Sequence, residues 1–331
     1  PHCNIHMLPS ILSENILSLL PNKKRKAITL WLIINNNRII SSKIEKTIIV
    51  NKHKYSYDEF TNRHFNNINS KYQIFIQLVK NLKYKNLYNK FKNSFDSHKL
   101  IEKLMIIYNC EACLFIKNNE ESPIYRIHTN HIEPEILNNI DYELKDFLNI
   151  IHTNSAEYSF NNNNNYHYSL DITDYIHFTS PIRRYVDCYN HSLIHKILSN
   201  SPTIDIDISY INKINKLVKK SERIFSRLLL AEYIKKTNNN KFKGYIYQLE
   251  KNKAFIYIPD YKITIYKYLV DKKLDKLYNI QIENNIIKII NNQTNFIKQF
   301  SMYVLLDLEI YIIIDKNPYN NIIVNIIDTQ I

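Results

Sequence analysis

A chain of 331 residues with a single glycine, Gly244, has to make its turns by other means. Glycine reaches left-handed backbone conformations at no steric cost, and an average usage of about 7 % would supply roughly two dozen here. Asn and Asp are the next residues to tolerate that region, because a short polar side chain can bond the local backbone. Runs such as Asn35–Asn36–Asn37, Asn161 to Asn165 and Thr237 to Asn240 therefore read as turns and need no function.

The first of these runs separates two β-branched stretches, "AITLWLII" (27–34) and "RIISSKIEKTIIV" (38–50), and predicts a hairpin with Asn in the place of Gly. Upstream, "SILSENILSLL" (10–20) reads as a short segment capped by Ser and Glu, followed by the basic "NKKRK". "YSYDEFTNRHF" opens a helical region. From Phe95 the sequence repeats apolar residues at helical spacing (Leu100, Leu104, Ile107, Ala112, Phe115), which predicts a long buried helix. Residues 122–137 form a connector carrying Pro123 and Pro134. A second long helix covers about 210–236, with Ile211, Ile214, Val218, Phe225 and Leu229 on one face. The polar "KKTNNNK" (235–241) then marks a domain boundary.

Beyond that boundary the period changes to two, in "KGYIYQLEKNKAFIYIPDYKITIYKYLV", and short strands continue to Ile331. About 90 residues of this kind predict a small all-β barrel of OB type. Gly244 falls in its first strand, where a missing side chain marks a bulge or tight bend, or is a chance survivor. The length alone argues for two domains.

Apolar residues make up 45 %, which excludes a disordered chain, and the net charge of +13 favours a polyanionic partner, nucleic acid or an anionic membrane. Compositional drift in a chain so rich in Lys, Asn, Ile and Tyr is the alternative. Cys3, Cys110, Cys113 and Cys188 lack any framework spacing, so a reduced intracellular protein is expected. Cys110-x-x-Cys113 is a lone pair inside a helical pattern, too little for a metal or redox site. No run of 18 apolar residues exists. The chain starts on Pro1 and shows no signal-peptide pattern, as expected of the downstream part of something longer.

Residues 175–195, "YIHFTSPIRRYVDCYNHSLIH", carry the candidate chemistry. Ser180 before Pro181 predicts a helix start, with Ser as cap and Pro at the first helical position. A helix N-terminus favours an anion, and the forked donors of Arg183 and Arg184 suit phosphate oxygens. The structural alternative is an i,i+4 bridge from Arg183 to Asp187. Glu222, four residues after Val218 and three before Phe225, falls on the apolar face of its helix. There it either meets a cation or sits at a rim with its carboxylate in water.

These residues resemble a known family. "HYSLDITDYIHFTSPIRRYVD" (167–187) is similar to the signature of the RNB (ribonuclease II) family of 3′→5′ exoribonucleases. "HMLPSILSENILSLLPNKKRKAITLWLII", "SHKLIEKLMIIYN" and "SPIYRIHTNHIEPEIL" resemble further blocks of it. The terminal barrel looks most like the OB domain of the eukaryotic exosome-type branch. The resemblance implies an α/β RNB catalytic-type domain, residues 1–236, lacking its N-terminal metal-binding segment. An OB-fold RNA-binding barrel, residues 241–331, would follow.

The resemblance also implies roles. Arg183 would contact the scissile phosphate and Glu222 would hold the RNA end, as the catalytic pair. Tyr57 would read the ribose 2′-OH together with Glu102, although the acidic residue that follows in the family is Lys103 here. Arg184 and Ser180 would bind RNA, and His177, Thr179 and Pro181 would shape the loop beneath it. The family's Gly in this signature is Ser169, and a basic block reads Asn190–His191–Ser192.

Mg²⁺ is the implied cofactor, held in the family by four aspartates upstream of the matched blocks. No such cluster occurs in this sequence, and Asp171, Asp174, Asp205 and Asp207 read as surface or turn acids. The implied partners are single-stranded RNA and RNA exosome subunits, with no membrane, and the implied compartment is the nucleus. The alternative is a catalytically inactive RNB-like protein that binds single-stranded RNA without cutting it.

Overall fold

The predicted hairpin forms: β1 (Lys24–Asn35) pairs antiparallel with β2 (Arg38–Val50), Asn35 facing Arg38. The turn residues Asn36 and Asn37 have φ of 47° and 58°, the left-handed pair that matches the twist of the flanking strands. The computed structural model describes residues 5–65, 67–91, 95–129, 140–152, 155–160, 165–271, 276–295, 297–312 and 322–327. Cys3, Pro134 and four of the asparagines at 161–165 lie outside the described residues.

The helical region opens with a capping box. Ser56 Oγ accepts from the Glu59 amide, and Glu59 Oε2 accepts from the Ser56 amide, both at 3.1 Å, at the head of α1 (Tyr57–Phe60). α2 (Gln73–Asn81) and α3 (Leu87–Lys90) lead into the long helix α4 (Ser97–Asn118), capped by Asp96, which accepts from the Lys99 amide at 2.8 Å. The apolar period of α4 is its buried face. Ala112, Cys113 and Ile116 share a core with Ile44 of the ribbon, and Ile106, Ile107 and Cys110 form another on which Leu32, Ile34 and Ile39 pack. Burial pushes the Cys110 thiol up to about 12, so the lone C-x-x-C is packing material.

β3 (Tyr125–Ile127) pairs with β4 (Glu157–Ser159), and α5 (Tyr142–His152) lies between them in sequence. α6 (Tyr185–Ser199) corrects the sequence reading. Ser180 does not cap it and Pro181 is not its first residue. Residues 181–183 form a separate turn, in which the amides of Arg183 and Arg184 donate to Ser180 O at 3.2 and 3.1 Å. The cause is Asp187, in the first turn of the helix, which reaches back to accept the Ser180 amide at 2.7 Å. The tract is thus tied from inside the helix, and no cap is formed from outside.

The second long helix, α7 (Ile208–Thr237), buries Leu230, Ala231 and Ile234. Its predicted apolar face lies open: Val218, Phe225 and Leu229 are each about half exposed. Asp207 accepts from the Tyr210 amide at 3.1 Å, and Asp174 pairs with Lys117 at 2.6 Å, the structural tasks expected of those acids.

The barrel comprises β5 (Lys241–Glu250), β6 (Lys253–Ile258), β7 (Ile263–Tyr268), β8 (Tyr278–Glu283), β9 (Ile286–Asn291), β10 (Ile297–Ser301), β11 (Leu305–Ile312) and β12 (Ile322–Ile326). One sheet runs β12-β11-β5-β6-β7 and the other β10-β9-β8, around a core that includes Ile246, Ile256, Ile258, Ile287 and Leu308. The fold is an α/β part followed by this OB-type barrel. Gly244 is no chance survivor: a Cβ there would lie 2.7 Å from Leu308 Cδ1 and 2.8 Å from Tyr257 O.

Two compact units result, the first of residues 1–130 and 154–212, the second of residues 131–153 and 213–331.

Candidate functional site

The two adjacent arginines part company. Arg184 is mostly buried and donates through Nη2 to Asp187 Oδ2 at 2.8 Å, whereas Arg183 is exposed at the crest of the turn. The bridge is therefore from Arg184 at i,i+3, and not the expected one from Arg183 at i,i+4. Asp187 is fully buried, and burial pushes its carboxyl up against the pull of Arg184. Cys188 Sγ donates to Pro181 O at 3.1 Å, a further tie from α6 to the turn. These bonds leave one forked donor facing outward from a fixed backbone.

Beneath the turn the loop residues form a polar cluster. His177 Nδ1 is bonded to Tyr158 Oη at 2.8 Å, and the Arg126 guanidinium lies 4.4 Å from the centre of the Tyr158 ring. Burial, with Arg184 and Arg126 nearby, pushes His177 down to about 2, so its ring is neutral at physiological pH. Asn190, fully buried, accepts from the Ile124 amide at 3.0 Å and donates to His177 O at 3.0 Å, pinning the connector to the loop. Asn109 of α4 accepts from the Phe178 amide at 3.0 Å. His191 stacks on Phe178 at 3.9 Å and does not face outward as a basic contact.

Sequence reasoning missed Arg126, Asn109, Asp187 and Asn190 in these roles. The signal for Asp187 was present, a carboxylate on the buried face of an apolar helix, but its partner was misassigned.

Tyr57 and Glu102 meet at the other end of α4. Tyr57 is 45 % exposed and stacks on His98, ring centres 3.9 Å apart, while Glu102 lies one helical turn beyond His98. The Glu102 carboxylate pairs with Lys99 at 2.8 Å and Lys90 at 3.4 Å. Lys103 is fully buried and donates to Lys80 O and Leu82 O at 3.1 and 2.8 Å, where it neutralises the C-terminal end of α2. Burial pushes its amine down to about 8. The residue that departs from the family pattern is thus a structural post.

Glu222 belongs to the second unit and Arg183 to the first. Glu222 is exposed in a groove lined by Ile214, Leu217, Val218, Ser221 and Phe225, the rim position and not a cation-paired one.

The residues do not fit Mg²⁺. Among the described residues no three of His, Cys, Asp or Glu are gathered closely enough to hold a metal ion. The buried groups without a hydrogen bond beside the turn are mainly donors (Arg126 Nη1, Arg184 Nε and Thr179 Oγ1), with Asp187 Oδ1 as the acceptor. Such a set complements an anion better than a cation.

The RNB domain family model matches residues 1–82 and 65–200, more than half of the sequence. The chain belongs to the RNB family. Exoribonuclease 2 of Buchnera aphidicola subsp. Acyrthosiphon pisum (strain Tuc7) is 27 % identical over 323 residues, taking in 76 % of this chain and 49 % of the relative. The chain therefore spans about half the length of the curated relatives it matches. Mycoplasma genitalium RNase R, solved with ribose methylated single-stranded RNA, superposes with a TM-score of 0.71 at 19 % identity, covering 97 % of this chain and 61 % of that one. Yeast Ssd1, a pseudonuclease, superposes at 0.60 and 12 % identity, over 90 % and 44 %. At such identities the likeness is one of fold. The RNB resemblance holds at family level, and the exosome-type branch is a finer reading that these bacterial relatives do not carry.

Proposed function

We propose that this chain is the phosphate-positioning and RNA-gripping part of a 3′→5′ exoribonuclease that hydrolyses single-stranded RNA to mononucleotides. The observation that carries the reading is the Arg183 turn. One exposed guanidinium is held on a backbone locked by Asp187, Arg184 and Cys188, in a chain of the RNB family. A guanidinium fixed in this way bonds two non-bridging oxygens of a phosphodiester and stabilises the charge that grows on them during hydrolysis. Arg184 and Ser180 act through Arg183 by holding its turn. Tyr57, on its His98 base, offers a ring face and a hydroxyl to a ribose, and Glu102 beside it accepts from a 2′-OH, the group that separates RNA from DNA. Glu222 takes the RNA end in the groove of α7.

Divalent metal ions supply the activated water in hydrolysis of this class. The described residues of this chain do not fit them, so the carboxylates would come from polypeptide beyond it. Exosome subunits as partners rest on the resemblance of the terminal barrel alone.

In the complete enzyme, Arg183→Ala should lower kcat by about 10²- to 10³-fold, the loss typical of one oxyanion donor. The Kd for a single-stranded oligoribonucleotide should change less than about tenfold. Equal losses in both would favour the second reading, an RNA-binding protein that does not cut. Residues 1–331 alone, given labelled RNA and Mg²⁺, should bind but release no mononucleotides. Robust release would show that the metal carboxylates lie within this sequence.

A further inference from the structure

The β1–β2 ribbon is half of a sheet. It has 12 and 13 residues per strand, and among the described residues no third strand pairs with either outer edge. Two long edges thus present rows of backbone N–H and C=O groups without ladder partners, a template that folded proteins ordinarily shorten, cover or pair. Isolated two-stranded ribbons are marginal, and here one face is secured by Ile28, Leu30, Leu32, Ile34 and Ile44 against the cores around α4. The opposite face is open and apolar. Trp31 is 55 % exposed and Ile33 and Ile40 are each 64 % exposed, with Ile48 at 70 % near the ribbon's end.

We propose that this ribbon is the docking platform for an acidic, strand-forming polypeptide segment from outside residues 1–331, which adds to a free edge and covers the Trp31 face. Three observations select that occupant. An open strand edge alternates donors and acceptors at peptide spacing, which a polypeptide matches and a sugar-phosphate backbone does not. Lys24, Lys26, Arg38, Lys43 and Lys46 are exposed along the strands, so an acidic segment is complementary while a second copy of the ribbon brings like charge. The relatives that this chain matches are about twice as long as the matched region, so polypeptide of the required kind accompanies the same fold elsewhere. Ile44 of the ribbon shares a core with Phe178 and with Leu193 and Ile194 of α6, so a segment seated there joins the same body as the Arg183 turn. The inference does not depend on hydrolysis or on RNA binding.

Trp31 is the only tryptophan, which makes the test direct. Two probes are added to the 331-residue chain: the part of Mycoplasma genitalium RNase R outside the region that superposes on it, and a synthetic 12-residue strand of alternating Asp and Val. Either should move the Trp31 emission to shorter wavelength and protect the outward amides of β1 or β2 from hydrogen exchange. The double variant Ile33→Lys, Ile40→Lys, with unchanged circular dichroism, should lose both effects, while Ile74→Lys, on the exposed side of α2, should keep them. No shift and no protection with either probe overturns the proposal. So does a shift produced by single-stranded RNA but by neither peptide, or one that grows with protein concentration alone and reports pairing between copies.

Discussion

Asp187 does the work that the sequence credits to Ser180 and Pro181. With its carboxylate fully buried, it accepts from the Ser180 amide and from Arg184, and Arg184 has no other partner for that guanidinium edge. Asp187→Ala should cost about 3–5 kcal/mol, because it strands a buried cation, and thermal melts by circular dichroism should show it as a large fall in Tm. Asp187→Asn, which still accepts from Ser180, should cost less. The acid sensitivity of the same turn follows from His177. The unfolded chain takes up a proton on this residue near its ordinary 6.5, while burial and the neighbouring arginines hold the folded ring down to about 2. Its contribution to stability is therefore intact above pH 6.5 and lost as pH falls, at up to about 1.4 kcal/mol per pH unit. His167 and His191, both pushed down by burial to about 4, act in the same direction between pH 6.5 and 4. Tm should decline through that window, and His177→Gln, which keeps an acceptor for Tyr158, should flatten the slope; a Tm independent of pH from 7 to 4 would refute the assignment. Arg183 was legible in the sequence as the phosphate ligand, whereas its separation from Arg184 was not. That separation depends on which guanidinium can reach a buried carboxylate three or four residues on, a matter of where the helix starts.

At the scale of elements, the scarcity of glycine divides two demands that glycine usually meets together. Left-handed backbone is assigned to other residues, including Asn22, Asn36, Asn37, Asn200 and Asn238, all with φ between 47° and 58°. The one glycine kept is not left-handed and is needed for space alone, where β5 passes β6 and β11. Gly244→Ala should therefore destabilise the barrel by about 1–3 kcal/mol, as overpacking does, because Tyr257 O is backbone and cannot swing aside. An unchanged chemical denaturation midpoint would mean that the strands move apart freely. The hairpin, the long helix α4 and the barrel strands were legible because each carries its own period and its own turn residues. The open face of α7 was not. An apolar stripe at helical spacing reads the same whether the surface it fits is present or absent, and Glu222 in its midst was accordingly assigned a cation that the helix does not supply.

At the scale of the whole molecule, the composition shift at residues 235–241 marks where strands begin, yet the barrel borrows an element from far upstream. α5 lies between β3 and β4 in sequence and packs on the outer face of the barrel sheet. Leu144 and Leu148 are buried among Tyr245, Tyr247 and Tyr257, Phe147 stacks on Tyr257 with ring centres 3.8 Å apart and planes at 5°, and Asp141 accepts from Tyr245 Oη at 2.8 Å. Tyrosines expected from the sequence to stack RNA bases are thus engaged by a helix. A reading by linear segments has no means of finding this, because neither the period of α5 nor that of β5 names its partner. A fragment of residues 241–331 should on this account expose an aromatic face, bind a hydrophobic dye and self-associate in size-exclusion chromatography. A synthetic peptide of residues 140–152 should suppress both effects in the wild-type sequence and fail to do so as Leu144→Asp, Leu148→Asp. A fragment that is monomeric, free of dye and as stable as the barrel in the full chain would mean that α5 rests on the sheet without supporting it. The RNA-facing tyrosines would then have to be counted again with Tyr245, Tyr247 and Tyr257 included.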